Sequence, residues 1–405
     1  MLKNKKILII GKVWPEPKSS AAGIRMMQLI NFFLKEEANI VFATTAKKTG
    51  FEESLDNFKV EVKEIKLNSD CFDDFVSEYS PEVVVFDRFM TEEQFGWRVT
   101  QSCPNAKQIL NTEDLHFLRD ARREAVKKEA TLDIKTLRTD LLFRELMAIQ
   151  RCDLTLLVSK VEYDLLKDAY EVSEDKLHYL PLFRNQNEDS VAFNARKDFM
   201  FIGNYYHEPN WDALLVLKKE IWPRIRKQLP NAKLNIYGAY SNQKVFDLHN
   251  EEERFIVHGR VDETDIIFSQ ARICLAPIRF GAGIKGKFLE AMANGTPIVT
   301  TTIGAEDMQL GNNWCGNITD DLDEMPEQAV ELYSNQEYWN SSQKVGFQIL
   351  KDKYQFESYQ EDFVKIISSL DLERKKSLTE ELIQHHSVKS SMYLSRWISE
   401  KEQKQ

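Results

Sequence analysis

Apolar residues in the first half of the chain gather in short runs: Ile7–Ile10, Ile40–Thr44, Val83–Phe86, Gln108–Leu110 and Leu154–Val158. Runs of that length, rich in β-branched residues, predict strands. The stretches between them read as amphipathic helices. In Gly23–Phe33, for example, Ile24, Met27, Leu29, Ile30 and Phe33 fall near helical spacing. The second half repeats the alternation, with strands predicted near Phe199–Ile202, Lys233–Tyr237, Phe255–Val257, Ile273–Ala276 and Ile298–Thr301. Strands alternating with helices predict an α/β fold of parallel sheets covered on both faces. The polar segment Arg184-Asn185-Gln186-Asn187-Glu188-Asp189-Ser190 has no apolar period and follows Pro181, so the boundary between the two halves is expected within 184–197. That gives domains of 1–184 and 198–355, with a C-terminal helix and tail over 356–405. Residues 371–405 are rich in Lys, Glu, Ser and Gln and read as a helical hairpin or a partly disordered tail.

Two domains suit a chain of 405 residues, 42% apolar and 29% charged. No apolar run approaches the ~18–20 residues that span a bilayer. The start, Met1-Leu2-Lys3-Asn4-Lys5-Lys6-Ile7, has too short an apolar stretch for a signal peptide, so a cytoplasmic protein is expected. Cys71, Cys103, Cys152, Cys274 and Cys315 form no CxxC pair and no zinc spacing, and read as buried, reduced thiols. A formal net charge of -10 argues against a nucleic-acid partner.

The densest chemistry runs from Ala276 to Thr301. A strand ends at Pro277, a loop carries Gly281, Gly283 and Gly286, a helix begins near Lys285 and stops at Asn294-Gly295, and Pro297 leads into the next strand. A glycine-rich loop meeting a helix N-terminus beyond a parallel strand favours an anion, because backbone amides and the helix dipole both point outward there. Lys285 adds positive charge in the first turn. Glu290 lies where a carboxylate can accept hydrogen bonds from a ribose diol. The plainer reading makes Lys285, Lys287 and Glu290 solvated helix residues; the strand–loop–helix–strand context favours phosphate binding.

This segment, with Gly281-Ala282-Gly283-Ile284-Lys285-Gly286-Lys287 running into Glu290-Ala291-Met292-Ala293-Asn294-Gly295-Thr296-Pro297, resembles the donor-binding region of retaining glycosyltransferases of family 4. Ile303-Gly304-Ala305-Glu306 continues the match. Phe199–Ala213, with Gly203 and Asn204, looks like the opening strand and loop of that family's second domain. Phe255–Val261, with Arg260 and Val261, looks like its element beside the nucleotide base. The resemblance implies a GT-B architecture, two Rossmann-like domains facing each other across a cleft. It also implies transfer from a nucleotide sugar with retention, and no metal or other cofactor. Lys285, Arg279 and the helix N-terminus would then stabilise the departing diphosphate. Many members carry two glutamates eight positions apart around this loop. Here the second is Glu290 and the first position holds Ala282, which leaves the backbone amides of Ala282, Gly283 and Ile284 to contact sugar and phosphate.

The acceptor side is expected in the first domain. Gly23 and Arg25 lie in a loop resembling the family's cleft-facing glycine turn, although a plain strand-to-helix turn reads equally well. Asp87 follows a strand, where Asp is also common turn chemistry. Glu113, Asp114 and His116 cluster just beyond the strand at Gln108–Leu110, where open α/β sheets bind ligands. They suit an acceptor hydroxyl or its proton. The competing reading is a helix cap by Thr112 or Asp114. Between Arg119 and Arg144, Arg122, Arg123, Lys127, Lys128, Lys135 and Arg138 alternate with acids and read as a solvated helix face, contact with an anionic membrane surface being the alternative. The function expected is sugar transfer from a nucleotide diphosphate to a glycan, a lipid-linked acceptor or another molecule. A sugar-nucleotide epimerase and a non-catalytic partner on the same fold are the competing readings.

Overall fold

The computed structural model describes residues 2–188, 191–370 and 378–403; Asp189 and Ser190 of the expected linker and 371–377 of the tail lie outside the described residues. The first domain runs β1 (Lys6–Gly11), α1 (Ala21–Lys35), β2 (Asn39–Thr44), β3 (Glu61–Glu64), α2 (Cys71–Tyr79), β4 (Val83–Asp87), α3 (Phe89–Ser102), β5 (Lys107–Asn111), α4 (His116–Lys128), α5 (Asp140–Arg151), β6 (Leu154–Leu157), α6 (Lys160–Asp168) and β7 (Leu177–Tyr179). The second runs β8 (Lys197–Ile202), α7 (Glu208–Val216), α8 (Trp222–Gln228), β9 (Leu234–Tyr237), α9 (Gln243–Phe246), β10 (Phe255–Gly259), α10 (Thr264–Gln270), β11 (Ala271–Ala276), α11 (Gly286–Ala293), β12 (Ile298–Thr300), α12 (Thr302–Ala305) and β13 (Gly316–Ile318). Five more helices follow: α13 (Met325–Ser334), α14 (Gln336–Lys353), α15 (Glu357–Ser369), α16 (Leu378–His386) and α17 (Lys389–Gln403).

Both sheets are wholly parallel. Their orders are β3-β2-β1-β4-β5-β6-β7 and β10-β9-β8-β11-β12-β13, so the winding reverses between β1 and β4 and between β8 and β11. Crevices open beyond the strand ends at such reversals. Strands β3, β7 and β13 are additions to the sequence reading. The four residues of β3, Glu-Val-Lys-Glu, sit on a sheet edge with no apolar alternation to reveal them.

Alternation along β1 splits the first core in two. Leu8 and Ile10 pack on one face with Val84, Phe86 and Leu110, while Ile7 and Ile9 pack on the other with Phe42, Val85 and Leu156. The chain does not stay where the linker delivers it. Helix α15 returns to the first domain, where Phe363 meets Phe32 at 4.4 Å between ring centroids. The tail forms a helical hairpin, α16 and α17, docked on the same domain: Arg151 donates to Ser387 (3.1 Å) and Arg98 to Ser395 (3.2 Å). A cavity of about 220 Å³ lies beneath this hairpin, lined by Trp97, Gln108 and Met392, away from the strand ends. The linker is tied down as well. Arg184 pairs with Asp265 (2.5 Å), and the Asn187 amide donates to the Ala293 carbonyl (3.0 Å). Of the thiols, Cys152, Cys274 and Cys315 are buried, but Cys71 opens α2 on the surface, against the expectation for all five. Among the described residues no helix is long and apolar enough to cross a membrane.

Candidate active site

Strand β11 delivers the glycine loop to the cleft. Gly281 (φ 155°) and Gly283 (φ 62°) adopt backbone that L side chains rarely take. Gly283 is also short of space, since a Cβ there would lie 3.1 Å from the Asp114 Cβ and 3.3 Å from the Glu113 carbonyl. The loop therefore rests on the first domain's acidic segment. Ala282 packs into the first domain's core, while Val158 and Leu182 pack into the second's.

Lys285 precedes α11 with extended backbone and donates to the Gly283 carbonyl (2.8 Å). Burial pulls its amine down to about 8. Lys287 is not the solvated lysine of the plainer reading. Its amine is half-buried, bonds Asn210 Oδ1 (2.5 Å), lies 4.5 Å over the Phe201 ring and is pulled down by burial to about 7. The signal for it was its position one turn before Glu290, on the same helix face. Glu290 lies 3.2 Å from Arg184, and burial raises its carboxyl to about 7. The Gly286 and Lys287 amides that open α11 have no partner within the helix, as at any helix start, while the Phe288 amide folds back on the Lys285 carbonyl (2.8 Å).

The other donor-side residues surround this loop unequally. At Gly203 a Cβ would sit 2.6 Å from the Asn210 Cγ, so glycine is what lets α7 approach. The Asn204 carbonyl accepts from Asn210 Nδ2 (2.9 Å), which leads on to Lys287. Arg279 is held by Asp212 at 2.9 and 2.5 Å. Arg260 pairs with Asp262 and lies 4.2 Å over the Phe51 ring of the first domain, with Val261 half-buried beside it.

In the first domain the ends of β1, β4 and β5 converge. The Lys12 amide donates to Asp87 Oδ2 (3.0 Å), and the Arg88 amide to the Asn111 carbonyl (2.7 Å). Arg25 is fully buried, donating to Asn111 Oδ1 (3.1 Å) and the Pro181 carbonyl (3.1 Å), with Nη2 unpartnered. Gly23 is a packing glycine: its amide donates to Ser20, and a Cβ would lie 2.2 Å from the Glu16 backbone. Glu113 sits at φ 65°, strained for a non-glycine residue, and accepts from Asn111 Nδ2 (2.8 Å). Burial and the charge of Asp87 raise its carboxyl to about 8.

Asp114 behaves oppositely. Burial alone would raise its carboxyl, but Arg119, bonded to it, and His116 at 3.7 Å hold it well below the usual carboxylate range. Neither Thr112 nor Asp114 caps α4. Glu145 does, accepting the His116 and Phe117 amides at 3.1 and 3.0 Å, together with Glu162, which accepts the Leu115 amide at 3.0 Å. Capping from other helices leaves the Asp114 carboxylate to Arg119 and His116. Burial lowers the His116 imidazole to about 4, so it is neutral at pH 7.

The mixed-charge face on α4 is not wholly solvated. Arg122 is buried, bonds the Gly281 carbonyl (2.8 Å) and grips both oxygens of Glu306 (2.8 and 2.6 Å). Arg123 reaches Glu208 (2.7 Å). Among the described residues no three His, Cys, Asp or Glu side chains are grouped to hold a metal ion.

A glycine loop with two lysines that bond only neutral oxygens thus lies against Glu113 and Asp114 of the other domain. Residues 196–335 match the family model of the glycosyl transferases group 1. The matched segment is the second domain with its glycine loop. The two-domain fold is that of GT-B glycosyltransferase structures. Sucrose-phosphate synthase from Thermosynechococcus elongatus superposes with a TM-score of 0.70 at 14% identity, over 91% of this chain and 99% of that one. TarM of S. aureus, solved with fondaparinux, alpha-GlcNAc-glycerol and UDP, gives 0.67 at 10% identity over 91% and 100%. HepE of Anabaena, solved with UDP-glucose, gives 0.66 at 11% identity over 90% and 99%. In sequence, an uncharacterised 44.6 kDa protein in the cps region of Klebsiella pneumoniae is 29% identical over 114 residues, 26% of this chain and 29% of the length of that relative.

Proposed function

We propose that the protein moves a hexose from a nucleotide diphosphate held by the second domain to a hydroxyl of a glycan or lipid-linked acceptor held by the first, with retention and in polysaccharide biosynthesis. The observation that carries this reading is the glycine loop lying on Glu113 and Asp114 within the family-matched segment. Negative charge developing on the leaving diphosphate would meet Lys285, Lys287 and the free amides of α11, without calling on a metal. Glu290 would accept from the ribose diol. On the acceptor side, ionised Asp114 would accept a hydrogen bond from the hydroxyl, while Glu113, largely protonated at pH 7, can donate one. UDP in the TarM complex and UDP-glucose in the HepE complex make UDP the first base to try. The location of the Klebsiella relative in a cps region favours a glycan acceptor.

Calorimetric titration with UDP, GDP and ADP, beside Lys285→Ala and Glu290→Ala, tests the reading. One nucleotide is expected to bind, more weakly to both variants. Folded wild-type protein that binds none of the three would overturn the reading in favour of a non-catalytic partner.

A further inference from the structure

Helix α6 opens Ser159-Lys160-Val161-Glu162, the spacing of a capping box in which the glutamate folds back on the serine amide. Ser159 performs its half, accepting from the Glu162 amide at 3.4 Å. The Glu162 carboxylate turns away. Its Oε1 accepts the Leu115 amide at 3.0 Å and, from the other domain, the Gly283 amide at 2.8 Å. Glu162 is fully buried and its Oε2 has no partner. One oxygen thus joins the start of α4 to the glycine loop, and the Gly283 amide, expected to contact sugar and phosphate, is engaged by Glu162 instead. Two contacts flank it. The Lys160 amide donates to Asp307 of the second domain (2.5 Å), and Arg122 holds the Gly281 carbonyl and Glu306. First-domain side chains therefore hold both backbone groups that bracket Ala282.

A buried acid with one oxygen unpaired is costly to the fold. What the arrangement provides is geometric. The loop that would carry the donor and the segment that carries Glu113, Asp114 and His116 are fixed in one register by a common acceptor.

We propose that Glu162 is a positioning residue for the transfer. It acts through the Gly283 and Leu115 amides to hold the donor loop against the acceptor-side acids. This rests on the transferase reading above. Lys285, Lys287 and the first amides of α11 lie outside the contact, so loss of Glu162 leaves donor binding in place and slows the chemistry. Misplacing reacting groups by about 1 Å can cost about a hundredfold in rate.

The test uses the full chain with Glu162→Ala and Glu162→Gln, the glutamine keeping an oxygen for both amides. Amide hydrogen exchange is expected to quicken about tenfold in Glu162→Ala within residues 111–118 and 279–286, in two different domains, and to stay unchanged in β4 and β11. Glu162→Gln should exchange like wild type. With whichever of UDP, GDP or ADP binds wild type, Glu162→Ala should bind within about threefold of it. Turnover of the matching sugar nucleotide should fall about thirtyfold in kcat with little change in KM, and Glu162→Gln should recover most of it. Unchanged exchange in either segment overturns the proposal, as does faster exchange throughout the chain, or a glutamine variant as slow as alanine. If wild type binds no nucleotide, the transferase reading falls and takes the role in transfer with it. The exchange result then speaks only for the interdomain contact.

Discussion

The two walls of the cleft carry ionisable groups of opposite kind, amines on one and carboxyls on the other, and each is held away from its ordinary ionisation. On the second-domain wall, burial draws the amines of Lys285 and Lys287 down to about 8 and 7, and they bond neutral oxygens rather than carboxylates. On the first-domain wall, burial raises the carboxyls of Glu113, Glu145 and Glu162 to about 8. Those acids are already engaged by Asn111 and by backbone amides. One wall lacks an anion and the other does not lack a cation. The difference supports the proposed placing of a charged ligand on the second domain and a hydroxyl-bearing one on the first.

The strongest way to break this contrast is to remove the lysines. A double Lys285→Ala, Lys287→Ala variant gives up two charge-assisted contacts worth about 1.5–3 kcal/mol each, so nucleotide affinity should fall at least about a hundredfold by calorimetry. Unchanged affinity would mean that the diphosphate lies elsewhere. The second effect belongs to the first-domain wall, whose charges are part of the fold. Arg25→Ala strands two buried acceptors, Asn111 Oδ1 and the Pro181 carbonyl, and should lower stability by roughly 2–4 kcal/mol in urea unfolding. A near-neutral result would make Arg25 a ligand-facing side chain, as the sequence reading had it.

The walls also differ in how far the sequence disclosed them. The second is written in one contiguous segment, because a strand end, a glycine loop and a helix N-terminus are chain neighbours. Lys285 and Glu290 can be read there directly, whereas nothing local gives Lys287 a separate role, because a lysine on a short helix is usually solvated. The first wall is assembled from β1, β4, β5 and α6. Glu113, Asp114 and His116 could be read as a cluster, but nothing local announces that Glu145 and Glu162 cap α4 from other helices. Arg122 shows the limit most sharply. Mixed charge along a helix ordinarily marks a wet face, and only the second domain's arrival buries that arginine. The alternating pattern gave the fold's central strands for the same reason that it missed β3, β7 and β13: buried parallel strands are apolar runs, whereas edge strands need not be.

A smaller effect tests the first wall by pH. The Glu113 carboxyl takes up its proton more readily folded than unfolded, about 8 against an ordinary value near 4.5. The folded state therefore holds the extra proton between those values, and stability falls as pH rises from about 5 through 8. Glu113→Gln, which is neutral at every pH, should flatten part of that fall in melting temperature while leaving the value at pH 5 nearly unchanged. An unaltered slope would place the titration on Glu145 and Glu162 instead.

The smallest expected effect has the opposite sign and belongs to the second wall. Lys287 is easier to protonate unfolded, near 10.5, than folded, at about 7, so below about 7 its charge works against the fold. That penalty fades as pH rises, because the amine loses its proton in the folded state first. Lys287→Met keeps the apolar contact with Phe201 and removes the charge, though it leaves Asn210 Oδ1 unpaired. The variant should melt about 1–3 °C above wild type at pH 6, an advantage that dwindles towards pH 10. Added nucleotide should reverse the order at pH 6, raising the melting temperature of wild type more than that of Lys287→Met, since only wild type regains a counter-charge for the amine. A variant less stable than wild type at pH 6 would make Lys287 a structural partner of Asn210, and the second wall would then be as fully engaged as the first.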